Sequence, residues 1–155
     1  MKQFLKIAGY CQAKERPFFH KNGFITTREK TKLYEEIIKR QALEQEIVKH
    51  SGPVALVIKI KRAVRNPTRR FKDTKSDIDN LIKSIMDGLN GIAYNDDRQV
   101  VILHSQKEYG DEDSVSVCIM DIYNNECLED YLDEIRDVLI YDEFSKYEGD
   151  LNYGD

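Results

Sequence analysis

Histidine, cysteine and long apolar runs are scarce in this 155-residue chain, and each shortage removes a class of function. Cys11, Cys118 and Cys127 are odd in number and widely scattered, a pattern that suits neither a disulfide framework nor a zinc site. They are expected as reduced thiols in a cytosol. His20, His50 and His104 show no metal-ligand spacing and read as ordinary surface or half-buried residues. No apolar run approaches the ~18 residues that a membrane helix needs, and the first twenty residues carry no signal-peptide pattern. A cytoplasmic protein without membrane contact is the expectation.

Charge is abundant. Charged residues make up 34 % of the chain and hydrophobic residues 41 %, as in a soluble protein with a working polar surface. The net charge of −4 hides a strong asymmetry. Residues 1–120 hold 22 Lys/Arg against 16 Asp/Glu, whereas residues 121–155 hold 2 against 12. A basic body suits a polyanionic partner. The acidic end reads either as an extra helix packed on the body or as a competitor with that polyanion for the basic surface.

Along the chain, Met1–Gly9 forms a first strand. A loop containing Arg16-Pro17-Phe18-Phe19-His20-Lys21-Asn22-Gly23 follows, with Asn-Gly marking a tight turn. Its aromatics, interleaved with cations, either contact a nucleic-acid backbone or tuck inward. Thr26 and Glu29 form a capping box that opens a helix over about Thr27–His50, with Leu33, Ile37, Ile38 and Ile47 on its apolar side. Val54–Arg62 is a strand, apolar at first and alternating at its end. Gln99–Tyr109 and Ser114–Tyr123 are two more strands, joined as a hairpin by Gly110–Asp113. Glu126–Tyr147 is helical, with Leu128, Leu132, Ile135, Val138 and Leu139 on one side. The last residues, Glu148–Asp155, read as disordered.

The informative stretch lies in the middle. Lys61, Arg62, Arg65, Arg69, Arg70, Lys72 and Lys75 place seven cations in fifteen residues, broken only by Asp73. That run is either a solvated loop or a phosphate-binding arm. It ends at Asp77-Ile78-Asp79-Asn80, where a helix begins with Leu81, Ile82, Ile85, Met86 and Leu89 as its buried stripe. Asn90-Gly91 stops the helix. Asp77 and Asp79 converge if the helix starts at Asp79 or Asn80, and Lys83 stands one turn on. Asp96 or Asp97 joins them only if the next strand runs back beside the helix. Converging carboxylates without matching cations suit Mg²⁺, although helix caps and turn residues explain the same letters.

The combination Asp77-x-Asp79-Asn80-Leu81-x-Lys83, Asp87-x-Leu89-Asn90-Gly91, Asp96-Asp97-x-Gln99-Val100 resembles the signature of the RusA family of Holliday-junction resolvases. The resemblance is sharp over about residues 54–108, loose before them and absent after about 121. It implies an α/β fold of the α+β type, a small mixed sheet flanked by helices. Residues 1–122 would form the endonuclease domain and residues 123–155 an acidic helical extension. It further implies a cytoplasmic, often phage- or prophage-encoded homodimer that makes paired Mg²⁺-dependent nicks in branched DNA (four-way junctions), with Mn²⁺ as a substitute. The family's metal-binding aspartates fall on Asp77, Asp79 and Asp97, with Asp96 as the alternative to the third, and its lysine falls on Lys83. Asn80 and Asp87 match motif positions as residues that cap or brace the helix. Gln99 either supports the ligands or begins a strand. Lys59, Lys61, Arg62, Arg65, Arg69, Arg70, Lys72 and Lys75 are the DNA-binding candidates. Two other readings stay open: a junction-binding protein that does not cut, and an interaction protein working through its acidic end.

Overall fold

A computed structural model describes residues 1–26, 28–64, 76–123 and 128–140. Its main sheet has four strands, β1 (Lys2–Ala8), β4 (Val54–Ala63), β5 (Val100–Gly110) and β6 (Ser114–Asp121), in the order β1-β6-β4-β5. Two short strands, β2 (Phe18–Phe19) and β3 (Ile25–Thr26), form a separate hairpin, and the helices are α1 (Glu29–Glu44), α2 (Ile78–Leu89) and α3 (Leu128–Ile140). This is the mixed α+β architecture expected from the sequence.

The continuous apolar run of β4 explains the sheet order. Residues Val54 to Ile60 are all buried, Lys59 included, so β4 needs a strand on each side and a layer on each face. It pairs in parallel with β5 and antiparallel with β6. The expected β5–β6 hairpin is therefore corrected: the two strands flank β4 and do not pair with each other. Helix α2 is the crossover that a parallel β4–β5 pair requires. Val54, Leu56, Ile58 and Ile60 face α1 and α2, where they meet Ile38, Leu81, Ile85 and Leu89. Ala55 and Val57 face the opposite way, onto Ile135 and Val138 of α3.

The free edge of β1 is closed by side chains. Gln41 of α1 accepts from the Ala8 amide and Gln45 accepts from the Lys6 amide, and each also donates to the carbonyl of the same residue. Two glutamine amides thus stand where a neighbouring strand would pair.

Helix α1 departs from expectation at both ends and around its axis. It starts at Glu29 with Arg28 as N-cap and no capping side chain, because Thr26 belongs to β3. Its buried stripe is Thr31, Tyr34, Ile38 and Ala42, while Leu33 is exposed. A tyrosine and two small residues set that face, so a search for large aliphatics rotates the helix. The same substitution occurs in α3, where Tyr131 is buried and the expected Leu132 is exposed. Among the described residues no helix is long and apolar enough to cross a membrane.

Candidate active site at the start of the crossover helix

Helix α2 is the most amphipathic element, with Leu81, Ile82, Ile85 and Leu89 buried as expected, each worth roughly 1.5–3 kcal/mol. It begins at Ile78, one or two residues before the expected start, with Asp77 in extended conformation as N-cap and Asp79 in its first turn. The Asp77 side chain makes no capping hydrogen bond. Neither the Asp77 nor the Asp79 side chain has a hydrogen-bond or ion-pair partner among the described residues. The two carboxylates are stabilised by the positive end of the helix, and no cation among the described residues pairs with them. Just before them Ser76 has φ 67°, a left-handed conformation that costs a non-glycine residue energy. Lys107 of β5 donates to the Ser76 carbonyl at 3.1 Å and holds that turn in place.

Lys83 points to the next group along the helix. Its Nζ lies 3.1 Å from Asp87 Oδ1 and 3.1 Å from Asp97 Oδ2. Hydrogen bonds to Asp87, then Asp97, raise its pKa, so it is a cation throughout the neutral range. Asp87 is shared, because Lys14 Nζ reaches its Oδ2 at 2.7 Å and also pairs with Glu35 of α1. Burial lowers the Lys14 pKa, but its bonds to Asp87 and Glu35 outweigh that and raise it overall. Glu35, Lys14, Asp87, Lys83 and Asp97 thus form a ladder of alternating charge across α1, the β1–β2 loop and α2. Asp87 braces Lys83, whereas the Asn80 carbonyl accepts from the Lys14 amide at 2.9 Å.

Asp96 and Asp97 have different work. Asp96 caps a short 3₁₀ turn, Asp97–Gln99, accepting from the amide and the guanidinium of Arg98; the backbone bond first, then the side chain, lowers its pKa. Asp97 faces Lys83. Gln99 clamps the turn: Oε1 accepts from the Asn95 and Asp96 amides, and Nε2 donates to the carbonyls of His50 and Gly52. A shallow groove of about 380 Å³ runs beside the site, lined by Ile78, Asp79, Ile82, Lys83, Met86 and β5 residues.

Among the described residues no three acidic, histidine or cysteine side chains are gathered closely enough to hold a metal by themselves. The donors nevertheless suit a hard cation, since Asp77 and Asp79 offer carboxylate oxygens without a competing cation among the described residues. Mg²⁺ commonly takes only one or two carboxylates, completing its shell with waters and phosphate oxygens.

Two DNA-binding candidates require correction. Arg62 is 4 % exposed, its guanidinium donating to the Cys11 carbonyl and stacked 3.6 Å from the Tyr10 ring centre. Lys59 is buried in the middle of β4. The two lie on opposite faces of β4 and both are covered, which the run of basic letters conceals. Lys61 is half-buried, and Arg65, Arg69, Arg70, Lys72 and Lys75 lie outside the described residues. Sequence reasoning missed Lys14, Glu35 and Lys107, whose partners are set by tertiary packing. The Gln99 clamp did have a signal, since Asp96-x-x-Gln99 has the spacing of a capping box.

Fold and site together define a small α+β domain that presents two carboxylates, unpaired among the described residues, at a crossover helix next to a lysine held by two further acids. Residues 9–120 match the endodeoxyribonuclease RusA family, and the chain belongs to that family. It is also similar to an uncharacterized protein, YqaN, of Bacillus subtilis (strain 168), 32 % identical over 104 residues that make up 59 % of this chain and 72 % of that one. Internal cleavage of DNA strands is the activity that the family carries.

Proposed function

We propose that this protein is a Mg²⁺-dependent, structure-selective endonuclease that resolves four-way DNA junctions by paired nicks, in recombination and repair. The observation that carries the reading is the start of α2. Two carboxylates there have no cation partner among the described residues, and a tethered lysine stands one turn away, in a chain of the RusA family.

Asp77 and Asp79 would hold the ion, with Mn²⁺ as a substitute, and Asp97, which pairs with Lys83 and is not gathered with them here, would join as the third ligand when the ion binds. A divalent cation so held would polarise the scissile phosphate and lower the pKa of a bound water. Lys83, kept charged by Asp87 and Asp97, neutralises charge that grows on the non-bridging phosphate oxygens. Attack of water on phosphorus breaks the bond to O3′, leaving a 5′-phosphate and a 3′-hydroxyl. Gln99 keeps Asp97 at the end of α2 by fixing the turn that carries it. Asn80 supports the site through its carbonyl, which holds the Lys14 segment against the helix.

Two such sites in a homodimer can cut two strands of like polarity in a roughly two-fold junction. Lys61 and the basic segment Arg65–Lys75 would hold the arms through phosphates, so that branched shape dominates recognition. The enzyme works in the cytoplasm of a bacterium, as a phage or prophage product, and residues 123–155 are an acidic addition to the nuclease domain. Asp79→Asn tests the reading. Nicking should be lost with junction binding retained; unchanged nicking would remove Asp79 from the site.

A further inference from the structure

The β2–β3 hairpin leaves apolar side chains in water with nothing of the described chain over them. Phe19 and Phe24 are each 70 % exposed and Ile25 is 60 % exposed. Pairing of Phe19 with Ile25 puts those two on one face of the hairpin. Phe18 and His20 occupy the other face, in edge-to-face contact at 4.8 Å, with the His20 ring bonded to Thr26. The tip is built rather than loose. The His20 amide donates to the Phe24 carbonyl, the Gly23 amide donates to the His20 carbonyl, and Gly23 has the positive φ that its turn requires.

Charge and position narrow the partner. From Arg16 to Arg28 the sequence holds Arg16, Lys21 and Arg28 and no acidic residue, and Arg28 lies over the Phe18 ring. A two-fold contact between copies of this hairpin would bring like charges together, whereas a polyanion gains from them. The hairpin is also tethered beside the site. The Lys14 amide bonds to the Asn80 carbonyl in the first turn of α2, next to Asp79. Phe18 is four steps along the chain from Lys14, a span of at most about 14 Å.

We infer that the hairpin is a base-stacking element: Phe19 and Phe24 take unstacked bases of the DNA next to the strand being cut, while Lys21 and Arg28 meet the flanking phosphates. Every base offers a π-face, so such contacts are tolerant of sequence and respond to where the duplex is opened. This inference rests on the endonuclease reading and adds to it a means of recognising a branch point that phosphate contacts alone do not provide.

The test uses the full chain and a four-way junction carrying 2-aminopurine at the exchange point, in EDTA so that no strand is cut. Phe19→Leu/Phe24→Leu keeps apolar area and removes the aromatic faces; Phe19→Ala/Phe24→Ala removes both. Both positions are exposed, so circular dichroism and thermal midpoint should match the wild type. Wild-type binding should raise the 2-aminopurine fluorescence. Both variants should lose that rise and bind the junction about ten-fold or more weakly, with unchanged mass by sedimentation. Wild-type affinity and fluorescence in the leucine variant would overturn the inference. So would a drop to monomer mass in the alanine variant, which would make the hairpin a contact between copies. If the wild type itself ignores the junction, the endonuclease reading fails first and this inference falls with it.

Discussion

Substituting Gly88→Ala should destabilise the protein, although glycine is a poor helix former. Gly88 sits in the last turn of α2 where that helix crosses α1. A Cβ there would stand 2.8 Å from both Cβ and Cδ1 of Ile38 and 3.0 Å from its Cγ2. Carbon atoms pack at about 3.5–4.0 Å, so the helices must part by most of an ångström or Ile38 must leave its rotamer. Rotation does not help, because the Cβ of Ile38 is one of the atoms in the way. Overpacking costs about 1–3 kcal/mol, and three contacts on one β-branched side chain put this case at the upper end. Improved helix propensity returns about 1 kcal/mol. The net loss is then about 2 kcal/mol, which lowers the urea midpoint by about 1 M for an m-value near 2 kcal/mol/M. Ile38→Ala in the same chain should recover part of it, giving a coupling energy between the two sites. A Gly88→Ala protein as stable as the wild type, with no coupling to Ile38, would refute the close α1–α2 contact.

Other consequences follow from the ion pairs. Lys14→Met leaves Glu35 and Asp87 facing each other, both largely buried, and should cost about 2 kcal/mol; adding Glu35→Gln should restore part of it in chemical denaturation. Asp121 accepts from His50 and pairs with the N-terminal ammonium. Burial alone would raise its pKa, but those bonds outweigh burial and bring it below the ordinary 3.8. A depressed carboxylate stabilises the fold above its unfolded pKa and loses that contribution as pH falls through the folded value. Thermal stability should therefore drop below about pH 4, and Asp121→Asn should weaken this acid dependence while lowering stability at neutral pH by about 1–2 kcal/mol. Gln99→Ala should reduce junction nicking and weaken Mn²⁺ binding measured by electron paramagnetic resonance; metal affinity equal to that of the wild type would detach the clamp from the site.

What could be read in the sequence depended on how local its cause was. The stripe of α2, the stop at Asn90-Gly91 and the strand over Val54–Arg62 rest on periodicity and composition over a few residues, and they stand in the structure. The register of α1 did not, because Thr31, Tyr34 and Ala42 bury a face that carries little hydrophobic signal. The pairing of β5 and β6 also escaped, since a short polar turn between two strands says nothing about a third strand inserted between them. At the candidate site, the letters of the motif located the start of α2 and the turn that carries Asp97. They did not show that Asp77 leaves its helix uncapped, that Asp96 spends its carboxylate on a turn, or that Asp87 joins Lys14 to Lys83. Those assignments depend on which side chains compete for each partner. Arg62 is the clearest example: part of a basic run by sequence, it is buried under Tyr10 in the fold.

The most direct test is cleavage of a labelled synthetic four-way junction, with linear duplex of the same sequence as control, in Mg²⁺ and in EDTA. Paired nicks in the junction alone, present with Mg²⁺ and absent with EDTA, are the predicted result. Equal cutting of the linear duplex, or junction binding without nicks at any Mg²⁺ concentration, would contradict a junction-resolving nuclease.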